Sequence, residues 1–196
     1  NAKWVSVTLT RDATQATANR LYVGLRDIDE QKKAMEKLAR SEVWFAAGPA
    51  SDYRLHPAEN SGHSGRVLTF TSAVESPWTE NNLVHARLFA VSQTGPAVVV
   101  LPQWNAKWDV QINICKWLNS MGITALRLSM PYHDRRTIPG HERADNLVGP
   151  NIGLTLQANR QAVLDTRRCL LWLAQQGYGK LALVGTSIGS AVGFIT

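Results

Sequence analysis

Near the C-terminal end of the chain a short apolar run, residues 181–184, passes directly into Gly185-Thr186-Ser187-Ile188-Gly189 and then into small and apolar residues that can begin a helix. No other feature limits the possible folds so tightly. The run has the length and composition of a strand buried on both faces. A G-x-S-x-G pattern between a strand and a helix is the setting of a nucleophile elbow, a sharp turn with a serine at its tip.

The two glycines have a steric reason. A serine at the tip of so tight a turn holds a strained backbone, and side chains two residues before and after it would strike the neighbouring strand and helix. Gly185 and Gly189 remove those collisions and leave the Ser187 hydroxyl exposed at a helix N-terminus, where unpaired N–H groups and the helix dipole favour negative charge. The N–H of Ile188 is then placed to hold an oxyanion. The alternative is a phosphate-binding turn built on Gly185, Gly189 and Gly193. Against it, a dinucleotide fingerprint normally follows the first strand of a βαβ unit, and here several strands precede it.

The 196 residues are most simply one domain, long enough to bury about 70% of the unfolded surface. Hydrophobic residues at 44% and charged residues at 18% are ordinary for a globular chain. The net charge of +6 is dispersed, without the basic runs of a nucleic-acid arm, so no nucleic-acid partner is expected. No apolar stretch reaches about 18 residues, so no membrane span is expected. The chain opens at Asn1 rather than Met, which leaves a removed leader open. Cys115 and Cys169 lack metal or C-x-x-C spacing and read as packing residues. His56 and His63 have no acidic or cysteine partner at ligand spacing, so neither a metal nor a cofactor is expected.

Taken in order, residues 1–64 read as an N-terminal extension packed on the core, with a short strand through Val5, Val7 and Leu9 and a surface helix over residues 27–40. Residues 66–73 and 83–92 alternate with period two and read as an antiparallel pair. Residues 97–101 read as a fully buried strand. Val110, Ile114, Trp117, Leu118 and Met121 give the next segment an amphipathic helical signature, which Gly122 ends. Residues 123–130 form the following strand. Strand, helix, strand requires a parallel βαβ crossover, so the loop carrying Trp104 and the turn at Ser187 open on one edge. Residues 131–155 are long, polar and aperiodic, as functional loops often are. Within them His133 with Asp134 and His141 with Glu142 read as solvated loop residues in local salt bridges, the alternatives being metal ligands or an acid/base pair. Residues 156–176 read as a largely buried helix with Gln161 on its polar side. Its Arg160 and Arg167 reach water by snorkelling or pair with an acid.

From about residue 66 to 196 this order, ending in Gly185-Thr186-Ser187-Ile188-Gly189, resembles the α/β-hydrolase family, and residues 122–189 look most like bacterial members related to poorly characterised abhydrolase-domain proteins. The resemblance implies a mostly parallel sheet flanked by helices, with residues 65–196 as the N-terminal half of the domain. It implies Ser187 as nucleophile and the Ile188 N–H as one oxyanion donor. The second donor in many members comes from a His-Gly-x segment after the third strand. Pro102-Gln103-Trp104 stands there, which implies the backbone N–H of Trp104 or Gln103.

In the family an acid and then a histidine follow the serine. Here His56, His63, His85, His133 and His141 all precede it, so none carries over as base. A serine hydroxyl without a base is a poor nucleophile. The expectation is therefore a serine hydrolase, cleaving a small-molecule ester or less often an amide through an acyl-enzyme, whose acid and histidine lie beyond Thr196. The other class is a noncatalytic hydrolase-like domain for binding or assembly.

Overall fold

The computed structural model describes residues 40–57 and 65–196, together with Glu36. The expected strand at Val5, Val7 and Leu9, nearly all of the expected helix over residues 27–40, and His63 lie outside the described residues.

Alternation sets the first half of the sheet. Strand β2 (Arg66–Thr71) pairs antiparallel with β3 (Leu83–Phe89), placing Leu68 opposite Ala86 and Phe70 opposite Val84 on one buried face. Strand β1 (Arg54–Pro57) adds antiparallel to β2. It carries a single inward apolar residue, Leu55, too little alternation to mark a strand in the sequence. A four-residue helix α1 (Ser41–Trp44) precedes β1, and α2 (Thr79–Asn82) joins β2 to β3.

The second half is parallel. Strands β4 (Pro96–Leu101), β5 (Thr124–Leu128) and β6 (Lys180–Gly185) alternate with helices α3 (Ile112–Ser120) and α4 (Ile152–Gln175), and α5 (Ile188–Ile195) follows β6. The order across the sheet is β1-β2-β3-β5-β4-β6, with β5 and β6 flanking β4 in parallel. The chain thus steps one way from β4 to β5 and back past β4 to β6. Right-handed crossovers then put the two helices on opposite faces. The packing agrees: Cys115 and Leu118 of α3 meet Phe89, Val98, Val100 and Ala125 on one face, while Ala158, Ala162, Cys169 and Leu173 of α4 meet Leu68, Phe70, Val99 and Leu126 on the other. The connections leaving β4 and β6 run to opposite faces, which opens a crevice at their carboxyl ends. Parallel order is confined to β5, β4 and β6 in this mixed sheet.

Several expectations change. The run at residues 181–184 is not buried on both faces: β6 is the sheet's edge among the described residues, and Leu181 is 37% exposed. On α3 the buried stripe is Cys115 and Leu118, while Trp117 is 62% exposed, because the helix packs along a narrower face than its apolar content implies. Gln161 is not on a wet side. It is fully buried, donating to Ser72 Oγ at 3.0 Å and accepting from Asn81 Nδ2 at 2.8 Å. Among the described residues Arg160 and Arg167 neither snorkel freely nor find an acid. Arg160 Nε donates to the Trp44 carbonyl at 2.6 Å, and Arg167 Nη1 donates to that of Phe45.

Candidate active site

Backbone strain picks out one rim of the sheet. Among the described residues, five that are not glycine hold a left-handed φ: Asn105, Gln111, Tyr132, Asp134 and Ser187. Asn105 and Gln111 lie in the loop after β4, Tyr132 and Asp134 in the loop after β5, and Ser187 directly after β6, so all five lie at the carboxyl ends of the three parallel strands. Such conformations cost of order 1–3 kcal/mol each and persist where the surroundings over-determine them.

Ser187 has φ 55° and ψ −122°, and caps α5. Its side chain is exposed, and its hydroxyl makes no hydrogen bond among the described residues. The flanking glycines are there for the reason the sequence gives. A Cβ on Gly185 would lie 2.4 Å from the Gly189 carbonyl oxygen, and a Cβ on Gly189 would lie 2.4 Å from that of Leu101 and 2.7 Å from that of Pro102. The last contact also explains how the site is brought together. Leu101 pairs with Gly185 in register, and the Thr186 N–H donates to the Leu101 carbonyl at 3.1 Å, so the head of α5 rests on the end of β4. Ser187 and Ile188 therefore leave the sheet beside the point where Gln103 and Trp104 do.

The N–H groups on this rim divide into used and unused. Those of Gly189 and Ser190 turn back to the carbonyls of Thr186 and Ser187. The N–H of Ile188 belongs to the first turn, which has no intrahelical acceptor. Those of Gln103 and Trp104 make no hydrogen bond among the described residues. Three donors without an acceptor among the described residues and a helix N-terminus thus occur where β4 and β6 leave the sheet side by side.

The loop over residues 102–111 is held from several sides. From the sheet below, Arg127 donates to the carbonyls of Lys107 at 2.8 Å and Val110 at 3.3 Å, and Arg87 donates to that of Trp108 at 3.3 Å. Gln111 Nε2 donates to Thr186 Oγ1 at 2.7 Å, tying the loop's end to the elbow. Between this loop and the one after β5 lies a cavity of about 430 Å³, lined by Asn105, Lys107, Trp108, Tyr132, Arg135 and Glu142 among others.

His133 and Asp134 are not solvated loop residues. His133 is buried, its Nε2 accepting from the Asn105 N–H at 2.8 Å and its Nδ1 facing the Pro131 carbonyl at 2.8 Å. Burial holds its pKa below the usual imidazole value. Asp134 Oδ2 meets Arg127 Nη1 at 2.6 Å, with both side chains out of solvent. His141 is exposed, as read from the sequence. His56 contacts Thr69 Oγ1 at 3.2 Å, and burial pushes His85 down to about 4. None of the four described histidines bonds to Ser187. Cys115 and Cys169 are buried free thiols, and burial raises both, Cys115 to about 11. No helix among the described residues is long and apolar enough to cross a membrane.

No protein-family profile matches the sequence, and no curated protein matches it. Solved structures do match. An acetyl xylan esterase from Paenibacillus sp. R4 aligns at 14% identity with a TM-score of 0.56, covering 90% of this chain and 56% of its own. Acetyl xylan esterase 1 from Thermoanaerobacterium sp. JW/SL YS485 aligns at 14% identity and TM-score 0.58, covering 82% and 52%. The α/β hydrolase GrgF from Penicillium sp. sh18 aligns at 22% identity and TM-score 0.46, covering 66% and 40%. The chain spans about half the length of the two esterases. At these identities the likeness is one of architecture, and in architecture this chain has the α/β-hydrolase fold.

Proposed function

We propose that this chain carries the nucleophile and oxyanion donors of a serine hydrolase that cleaves a small-molecule ester. Ser187 Oγ attacks the acyl carbonyl while a histidine takes its proton. The tetrahedral oxygen is held by the N–H of Ile188 and by that of Trp104 or Gln103. The alcohol leaves with that proton, and water then hydrolyses the acyl-enzyme. Each oxyanion donor is worth about 100- to 1000-fold in rate. In this reading the acid and the histidine come from residues beyond Thr196, in the order in which α/β hydrolases carry them after the serine. The exposed apolar residues on β6 and α5, with Phe194 at 94% exposure, are in keeping with further chain packed there.

The observation that carries the reading is an exposed serine held at φ 55° on a helix start, beside three unpaired N–H groups. That two longer structures of similar architecture are acetyl xylan esterases favours an ester over an amide. The test is labelling of the whole protein with a fluorophosphonate. Attachment at Ser187, lost in Ser187→Ala, is the expected result. A folded whole protein that takes no label at Ser187 leaves the noncatalytic binding or assembly domain in its place.

A further inference from the structure

Free N–H groups at Gln103 and Trp104 stabilise charge only if the turn carrying them is held in place, and the next residue is strained. Asn105 holds φ 55°, which asparagine tolerates better than most residues. It is fixed at both ends: its N–H donates to His133 Nε2 at 2.8 Å, and its Oδ1 accepts from the Ala144 N–H at 2.9 Å. The indole of Trp104 donates to the Ala144 carbonyl at 3.0 Å. The loop after β5 thus grips the loop after β4 at three points, two residues wide.

The protonation of His133 follows from its partners. The Pro131 carbonyl can only accept and the Asn105 N–H can only donate, so Nδ1 carries the hydrogen, Nε2 is the acceptor, and the ring is neutral. Its own backbone is held by the strained turn before it. Tyr132, with φ 64°, donates its N–H to Asn81 Oδ1 at 2.9 Å, and Asn81 in turn donates to Gln161 of α4. Hydrogen bonds therefore link the long helix through Asn81 to the backbone of Tyr132, and the next residue, His133, to the candidate oxyanion loop.

We propose that His133 is a positioning residue for that loop, acting through Asn105 to aim the N–H groups of Gln103 and Trp104, and that it is not the base for Ser187, because both of its ring nitrogens are already engaged. This rests on the serine-hydrolase reading. A donor displaced by about 1 Å costs on the order of 100-fold in rate without weakening ground-state binding to match.

The experiment compares wild type, His133→Leu and His133→Gln in the whole protein, with p-nitrophenyl acetate as substrate. His133→Leu keeps the volume and removes the acceptor, while His133→Gln restores an acceptor within reach of the Asn105 N–H. The expected result is a kcat lowered about 10- to 100-fold in His133→Leu with KM little changed, and most of the loss recovered in His133→Gln. An unchanged kcat in His133→Leu, an equal loss in both variants, or a loss confined to KM overturns the proposal. If His133→Leu does not fold, Trp104→Phe decides. It removes the bond to Ala144 together with part of the ring that packs under Arg143, and a lower kcat at constant KM supports the grip, while an unchanged kcat overturns it. Fluorophosphonate labelling separates the two failures. A wild type unlabelled at Ser187 removes both readings, whereas a labelled wild type with an indifferent His133→Leu removes only this one.

Discussion

Arg136 Nη2 and Asp165 Oδ2 meet at 2.9 Å with neither side chain reached by solvent. Arg136 lies in the loop after β5 and Asp165 in the middle of α4, so the pair pins the loop of His133 to the helix beneath it. Around the pair, Arg136 donates to the carbonyls of Asn81 and Ser129, and Ser72 Oγ donates to Asp165 Oδ1 at 2.8 Å. Removing one charge leaves the other buried without compensation, at a cost of about 3–5 kcal/mol. Asp165→Asn keeps the shape and the Ser72 bond, and should still lower the unfolding free energy obtained from urea titration by an amount in that range. A double replacement, Arg136→Met with Asp165→Leu, should recover only part of it, because the Ser129 carbonyl then loses its donor and that of Asn81 keeps only Gln161 Nε2 at 3.3 Å.

The glycines of the elbow separate sterics from composition. At Gly189 the atoms in the way are backbone oxygens of Leu101 and Pro102, which cannot swing aside. At Gly193 an added Cβ would meet Leu101 Cδ1 at 3.5 Å and Leu183 Cβ at 3.9 Å, which is ordinary contact. Gly189→Ala should therefore destabilise the protein by about 1–3 kcal/mol and abolish labelling of Ser187, while Gly193→Ala leaves both intact. Thermal melts and the fluorophosphonate reaction read the two effects side by side.

That contrast also shows what could be read in advance. The elbow was legible because its geometry is local: five residues carry both the strain and its relief. The parallel order of β4, β5 and β6 was legible because a helix between two strands permits little else. The sequence makes His133 and Asp134 look solvated because their partners, Asn105 and Arg127, come from other elements, the former 28 residues away. Nothing in the sequence around His133 records that contact, although the length of the loop marked the region. The exposure of Leu181 was missed because apolar composition states what a strand needs covered, not what covers it. Helical periodicity puts Gln161 on the wet side because it sorts side chains by polarity, and a buried glutamine with Asn81, Ser72 and Val74 as partners obeys hydrogen bonding instead.

Acid should weaken the fold through His85. Its Nδ1 is buried without a partner among the described residues, and burial first, then the charges of Arg135, Arg136 and His56, push it from 6.5 to about 4. The unfolded chain therefore binds a proton that the folded chain refuses between those values. Stability is full above about 6.5 and falls as pH drops towards 4. His85→Gln should flatten that part of the profile of melting temperature against pH. An identical slope in the variant would assign the acid sensitivity to other groups.

The segment before β1 is fastened to α4 by a row of arginines, and the row is open to a direct test. Arg160 donates to the Trp44 carbonyl and lies 4.8 Å from the Trp44 ring centroid. Arg167 repeats the pattern one residue on, with the Phe45 carbonyl and ring, and Arg168 donates to the carbonyls of Gly48 and Thr71. Arg160 and Arg167 each combine a hydrogen bond worth about 0.5–1.5 kcal/mol with packing under an aromatic ring worth about 0.5–1 kcal/mol. Arg160→Met preserves the aliphatic stem and removes both contributions, so residues 40–50 should detach more often while the sheet stays folded. Limited proteolysis should then cut this segment several-fold faster in Arg160→Met than in wild type, at nearly equal global stability. Arg160→Lys should fall between them, since an ammonium keeps the charge over Trp44 but lacks the planar fork that reaches ring and carbonyl together.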